Sequence, residues 1–414
     1  MNMSKPFYFT ISQKLPPSPD GLGKGGERHG RSGKIHTPHG DILTPAFIPV
    51  ATQATIKGVL PEKMEELGAQ VLLSNAFHLH ERPGEDVIDA IGGLGKFMNW
   101  NHPTYTDSGG FQVLSLGAGF KKVLAMDTSG LSKEDIVADN KERRAFVDED
   151  GVDFKSPLNG AKERFSAEIS IGIQHKIGAD VIFTFDELTT LVDPRSYQEE
   201  SLERTFRWAK RCVAEHERLT EARADKPYQA LFGVLQGANY EDLRRKAARQ
   251  ISSLNVDGFG IGGALEKKIL GQICAWITDE LPEDKPRHVL GIAAVDDIFA
   301  GVENGGDTFD CVLPARCGRN GAIYTHQGRY NVTRAAFLSD SSPLEEGCRC
   351  YTCTHYSRAY VRHLLRCKEM NGSTLATIHN EYFFVHLLDE IRSSIEGGYF
   401  DEFKEYTLRR FYGL

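Results

Sequence analysis

The sequence is poor in several features that would mark common protein classes. Its 414 residues include only eight cysteines, five of them scattered as Cys212, Cys274, Cys311, Cys317 and Cys367. That density excludes a disulfide scaffold. Basic residues are outnumbered by acidic ones, 49 to 57, for a formal charge of −8. This excludes a globally basic nucleic-acid binder, so any polyanion must be met by a local patch. No apolar run reaches the roughly 18 residues of a membrane-spanning helix. The opening stretch MNMSKPFYFTISQKLPPSPDGLGKGGERHGRSGK has no apolar core of a secretory signal. The expected compartment is the cytoplasm. The Gly/Pro/Ser-rich part of that stretch, Pro16 to Gly33, reads as a loop, so residues 1–33 are expected to be a flexible lead. No short-period repeat or low-complexity tract is seen.

With 40% hydrophobic residues the chain can build a large core. Short β-like apolar runs alternate with helical stretches. The runs are TPAFIPV (Thr44 to Val50), QVLLSN (Gln70 to Asn75), TYTDSG (Thr104 to Gly109) and DVIFTFD (Asp180 to Asp186). They continue as QALFGVLQ (Gln229 to Gln236), DGFGIGG (Asp257 to Gly263), RHVLGI (Arg287 to Ile292) and DTFDCVL (Asp307 to Leu313). Strands alternating with helices imply a parallel sheet, and eight such units fit a (β/α)8 barrel. The expected class is α/β, with the barrel over residues 34–330. The charged segment Leu116 to Pro157 is expected to be an excursion from it. Residues 331–414 turn helical and basic, carry clustered cysteines, and are expected to form a metal-binding subdomain with helices that complete the barrel.

Many runs end in a polar residue or glycine: Asn75, Asp107, Asp186, Gln236, Gly262 and Gly263. In a barrel the C-terminal strand ends share one mouth, where active sites lie. Taken singly, each is equally well a cap or turn residue. As a set they offer acceptors, donors and bare backbone, which suit the edge of a purine-like base. Asp107 enters Asp-Ser-Gly-Gly, where, after Ser108, the glycines Gly109 and Gly110 let backbone N–H groups approach a ligand closely. Phe111 or Leu290 would supply an apolar face.

Asp310 interrupts the last apolar run, and Arg316 and Arg319 follow it. Asp310 and Asp107 can serve as a nucleophile and acid/base pair of the retaining-glycosidase kind. A carboxylate metal site or salt-bridged core aspartates are the plainer alternatives. CRCYTC spaces Cys348, Cys350 and Cys353 to aim three thiolates at one point. His355, His363, His379 and His386 are candidates for a fourth ligand. His355 is too near to turn back easily, whereas His379 lies one helix away and can return. A closed Cys3His structural zinc site is the reading. HYSRAYVRHLLR puts Arg358 and Arg362 at i, i+4 on one helix face, with Tyr351, Tyr356 and Tyr360 interleaved. That pattern suits phosphate contact as well as it suits a solvated face.

The stretches HGDILTPAFIPVATQATIKG, LLSNAFHLHERPG, TDSGGFQVLSLG, GFGIGG, FDCVLPARCGRNG, CRCYTC, SRAYVRHLLR and IHNEYFF together resemble the tRNA-guanine transglycosylases, from about Ser32 to the C-terminus. The resemblance implies a modified TIM barrel with a zinc-binding subdomain. It implies exchange of guanine at the anticodon wobble position of tRNA for a 7-deazaguanine, in queuosine modification. Asp310 would be the nucleophile and Asp107 the general acid/base. Asp186, Gln236 and Gly263, with Ser108 and Gly109, would bind the base between Phe111 and Leu290. Asn75 would lie near the ribose, and Arg316 and Arg319 would hold the anticodon loop. Cys348, Cys350, Cys353 and His379 would hold structural Zn2+. A homodimer is also implied.

Three departures concern the substrate. GGALEKK lacks the Gly-Glu pair that bacterial enzymes use for an aminomethyl-deazaguanine. Leu188 stands where a cysteine is expected, and GIAAVDD lacks a lysine usual near the RNA. The preferred base is therefore expected to differ, queuine being the obvious candidate beside the aminomethyl precursor. A DNA-directed relative is one alternative, disfavoured by the cysteine cluster and RCGRNG. A non-catalytic tRNA-binding subunit of a heteromeric enzyme is another, disfavoured by the presence of both Asp107 and Asp310.

Overall fold

The computed structural model describes residues 7–117 and 145–414. The eight apolar runs become eight parallel strands: β4 (Ala46–Pro49), β5 (Leu72–Ser74), β6 (Thr104–Thr106), β10 (Val181–Phe183), β11 (Ala230–Leu235), β12 (Gly258–Ile261), β13 (Arg287–Val289) and β14 (Thr308–Cys311). Their order is β4-β14-β13-β12-β11-β10-β6-β5. A parallel bridge between Val50 and Leu73, with the Ala51 N–H donating to Leu73 O at 2.7 Å, joins the two ends. The ring is a TIM barrel. Strands such as ALFGVL are buried along their whole length, as expected where helices cover the outer face. Inward residues Ile48, Leu73, Tyr105, Phe183, Phe232 and Val234 fill the lumen.

The N-terminal segment differs from the flexible lead expected for residues 1–33. Tyr8–Lys14 forms β1, which pairs antiparallel with β2 (Arg31–Thr37), and β2 pairs with β3 (Gly40–Thr44). The reason is alternation: Phe7 and Phe9 point into the lumen cluster while Tyr8 faces solvent. This sheet closes the end of the barrel where the strands begin. Arg31 makes a two-pronged bond to Asp307, just before β14, at 2.9 and 2.7 Å. His39 meets Asp180, just before β10, at 2.7 Å. The Gly-rich connection is pinned by Arg28, which binds Asp401 at 2.9 and 2.7 Å. The opposite end stays open.

Of the expected excursion, residues 118–144 lie outside the described residues. The rest forms a small antiparallel sheet of β7 (Ala145–Val147), β8 (Val152–Lys155) and β9 (Lys162–Phe165). After β14 and the helix Leu313–Arg319 comes a hairpin, β15 (Ala322–Thr325) and β16 (Gly328–Asn331). Ile323 and Val332 share an apolar cluster with Val361, Leu364 and Leu375 of the cysteine-bearing region. The hairpin thus packs on the cysteine-bearing region. Its long helix Met370–Glu396 crosses the outside of β4, where Phe384 stacks on Phe47 at 5.2 Å. No helix among the described residues is long and apolar enough to cross a membrane.

Candidate active site

The open end of the barrel holds a cavity of about 1350 Å³. Asn75, Asp107, Ser108, Gly109, Phe111, Asp186, Gln236, Gly263, Leu290, Asp310, Arg316 and Arg319 all line it. These residues are far apart in sequence. They meet because each lies at, or in the segment just after, the C-terminal end of a parallel strand.

Asp310 sits on β14 with its side chain 13% exposed. The Gly291 N–H donates to its Oδ1 at 3.0 Å, and His288 Nε2 lies 3.1 Å from the same oxygen. Gly291 holds φ at 74°, a left-handed conformation that favours glycine. His288 is fully buried, with Nδ1 2.9 Å from Thr308 Oγ1. The carboxylate is therefore held in one orientation with one oxygen occupied.

Asp107 follows β6. The Ala76 N–H donates to its Oδ1 at 2.9 Å, and Asn75 Nδ2 donates to Oδ2. Burial pushes its carboxyl up to about 7, and the charge of Asp310 adds to the rise; the Ala76, Gly109 and Gln112 bonds oppose it. A carboxyl titrating there populates both protonation states at neutral pH, as a general acid/base requires. Asn75 also caps the helix Ala76–Glu81, accepting from His78 N at 3.0 Å. Asn75 thus caps a helix and lines the cavity at once.

Asp186 accepts from Gln236 Nε2 at 2.5 Å and from Ser108 Oγ at 3.4 Å. Burial pushes it up to about 6 despite those donors. Gln236 Oε1 is buried without a hydrogen-bond partner among the described residues. It lies where a Cβ on Gly263 would be only 2.1 Å away. Gly263 (φ 88°) is thus fixed by both conformation and space. The result places a carboxyl, an amide oxygen with no partner among the described residues and bare backbone side by side in the cavity, groups able to exchange hydrogen bonds with a polar ligand. Glu187, next to Asp186, faces away: it accepts from Arg204 Nη1 at 2.5 Å and Tyr197 Oη at 2.6 Å.

Two supporting residues escaped sequence reasoning. His288 is one. The other is Arg244, completely buried on the helix Glu241–Ser252. Its guanidinium donates to Ala238 O at 2.7 Å, Leu235 O at 3.1 Å and Gly262 O at 2.7 Å. It ties the ends of β11 and β12 together beneath Gln236 and Gly263. On a helix that also carries Arg245, Lys246 and Arg249, nothing in the sequence sets it apart.

Arg316 and Arg319 ride on the helix Leu313–Arg319, directly after β14. Arg358 and Arg362 do not reach the cavity. Arg358 bonds Asp340 at 3.1 Å and lies over the Tyr330 and Phe337 rings, and Arg362 Nε donates to Arg334 O at 2.8 Å. Both half-buried side chains bond within the subdomain, which sequence spacing alone does not reveal.

The ligand atoms of Cys348, Cys350, Cys353 and His379 lie within 4.8 Å of one another. His379 Nδ1 is 3.7, 3.4 and 3.3 Å from the three sulfurs. Its Nε2 lies 2.7 Å from Tyr324 O, so that nitrogen carries the proton and Nδ1 presents a lone pair. A tetrahedron with Zn–S near 2.3 Å and Zn–N near 2.0 Å has S···N edges of about 3.5 Å. The donor set fits a metal ion.

The sequence profile of the queuine tRNA-ribosyltransferase family matches residues 27–413. The chain belongs to that family. Relatives named queuine tRNA-ribosyltransferase include one from Caldanaerobacter subterraneus, 42% identical over 386 residues, covering 92% of this chain and 94% of the relative. Another, from Bacillus subtilis, is 41% identical over 384 residues and 92% of each chain. A third, from Geobacillus kaustophilus, is 41% identical over 378 residues and 91% of each. Queuine tRNA-ribosyltransferases are pentosyltransferases, and the match covers barrel, cavity and cysteine cluster alike.

Proposed function

We propose that the protein exchanges guanine at the anticodon wobble position of tRNA for a 7-deazaguanine, through a covalent bond between Asp310 and the ribose. The observation that carries this is the single cavity shared by an oriented Asp310, a high-titrating Asp107 and the Asp186–Gln236–Gly263 slot. The free carboxylate oxygen of Asp310 attacks C1′, and the C1′–N9 bond breaks. Guanine leaves with the bonding pair and takes the proton of Asp107. The incoming base then gives its N9 proton to the Asp107 carboxylate and attacks C1′. The Asp310 ester bond breaks, and two displacements restore the original configuration.

The wall beside Asp186 is formed by Leu188, Leu265 and Lys267. Asp107, Asp186 and Asp310 are the carboxylates among the described residues lining the cavity, and each already has a task. A wall of two leucines and a lysine, without a spare acid for an aminomethyl cation, favours a larger preformed base such as queuine over the aminomethyl precursor. The Cys3His cluster would hold structural zinc, bracing the subdomain against the helix Met370–Glu396. A homodimer, as the family resemblance implies, is part of this reading. The cytoplasm, where tRNA is, is the fitting compartment.

The test is base exchange on tRNA labelled with guanine at the wobble position, with queuine, the aminomethyl precursor and its nitrile precursor supplied separately. Release of label with queuine preferred is expected. No release with any base, despite tRNA binding, would overturn the proposal.

A further inference from the structure

The cavity is larger than one base requires. At about 1350 Å³ it exceeds the roughly 300–1,000 Å³ of sites for drug-sized ligands. Its outer part is built by the C-terminal helix Phe400–Tyr412, whose last residues Phe411 and Tyr412 line it beside Tyr324 and Arg329. Nothing in the exchange chemistry uses these residues.

Their arrangement is specific. Phe411 lies near-parallel to Tyr324, with ring centres 6.5 Å apart and 17° between planes. It also contacts Phe383 at 6.2 Å. Phe411 is therefore anchored from below. Tyr412 meets Phe411 edge-on at 5.0 Å and keeps 46% of its surface exposed. Its hydroxyl donates to Asp296 Oδ1 at 2.6 Å, which fixes the ring at the cavity rim. Arg316, Arg319 and Arg329 line the same space. An exposed aromatic ring held still among guanidinium groups is how proteins hold single-stranded nucleic acid.

Asp296 belongs to GIAAVDD, the stretch that lacks the lysine usual near RNA. A bare carboxylate there would repel a phosphate. Tyr412 covers it with a hydrogen bond and offers a π-face instead. A nucleotide drawn into the barrel also loses its stacking partners, and each flanking base must find another.

We propose that Tyr412, backed by Phe411, is a stacking platform for a nucleobase adjacent to the exchanged one. This rests on the reading of the protein as an anticodon-loop base exchanger. Stacking tolerates any base, so the platform supplies RNA affinity and holds the loop open without reading sequence.

The probe is an anticodon stem-loop RNA carrying 2-aminopurine on either side of the exchanged position. On the wild-type protein one of the two positions is expected to be quenched, and on Y412A bright. In exchange assays Y412A should raise KM for the RNA about tenfold, leave KM for the free base alone, and retain kcat at saturating RNA. Y412F, which keeps the ring, should recover most of the affinity. If the melting temperature shows Y412A misfolded, Y412L carries the same expectation, since it keeps bulk without a π-face. Equal fluorescence and equal RNA KM in wild type, Y412A and Y412L would overturn the platform. RNA binding with flanking-base quenching but no exchange would instead overturn the exchange reading and leave the platform standing.

Discussion

The backbone N–H of Gly291 points at Oδ1 of Asp310 from 3.0 Å, and it does so from a left-handed φ of 74°. This one bond, with His288 on the same oxygen, leaves Oδ2 without a hydrogen bond among the described residues. Asp310→Asn should lower guanine release at least about a thousandfold and abolish any RNA adduct that survives denaturation. Gly291→Ala forces a side chain into that conformation, at a cost of about 1 kcal/mol or more. It should lower kcat while tRNA affinity stays within about twofold. Denaturing gels and single-turnover release measure both.

Asp107 and Asp186 give a pH dependence with a definite sign. Both carboxyls are raised by burial, to about 7 and about 6, above the ordinary value near 4. The folded state thus holds protons that the unfolded chain has already released. Their contribution favours folding at low pH and is lost as pH rises from about 4 through 6 and 7. Asp107→Asn should flatten that decline and stabilise the protein at pH 8, by about 1–3 kcal/mol once the side open to the cavity is discounted. In single turnovers without incoming base, guanine release should fall above pH about 7, because the leaving base needs the Asp107 proton. Urea melts and pH–rate profiles test the two halves separately. A release rate that climbs steadily to pH 9 would remove Asp107 as the acid.

The barrel was legible because its strands are buried on both faces and so read as continuous apolar runs. The site was legible because polar residues at the ends of such runs have one place to go. The Cys348–Cys350–Cys353 spacing was legible for a local reason: a tight turn brings ligands together without help from the fold. Other features depend on contacts across the molecule. Phe7 and Phe9 looked like the start of a loose lead, because Phe232, the ring that Phe7 packs on, lies more than two hundred residues away. Arg358 and Arg362 have the right periodicity for an RNA-facing stripe. Only the positions of Asp340, Tyr330 and Arg334 show that the stripe faces its own subdomain. Arg244 is invisible for the converse reason, since its value lies in three carbonyls of two other segments.

Arg244→Ala should therefore be among the most damaging substitutions outside the cavity. It strands two buried carbonyls, Ala238 O and Gly262 O, leaves Leu235 O with the Gly262 N–H alone, and empties the space of a long side chain. A loss of about 3–5 kcal/mol is expected. Arg244→Lys refills the space but cannot reach three acceptors with one rigid fork, so it should restore only part. Denaturant melts measure the stability, and KM for the base reports the slot above.

Metal removal separates structure from chemistry. The cysteine cluster lies beside the helix Leu313–Arg319 rather than in the base slot, because Thr377 and Asn380, neighbours of His379, touch Ala315 and Pro314. Cys350→Ser, or prolonged chelation, should lower the melting temperature and release one equivalent of zinc. RNA affinity should drop with it, since Arg316 and Arg319 ride on the helix that this contact supports. Free-base binding should change little in protein that remains folded.

Gly263 offers the sharpest test of the base slot. A methyl group there would sit 2.1 Å from Gln236 Oε1, so Gln236 must move, and with it the donor that holds Asp186. Gly263→Ala should raise KM for the incoming base at least about tenfold while RNA binding stays as it was. Gln236→Ala in the same background should add little further loss, because the two changes remove one interaction. Additive losses would show that Gly263 and Gln236 act on the base independently.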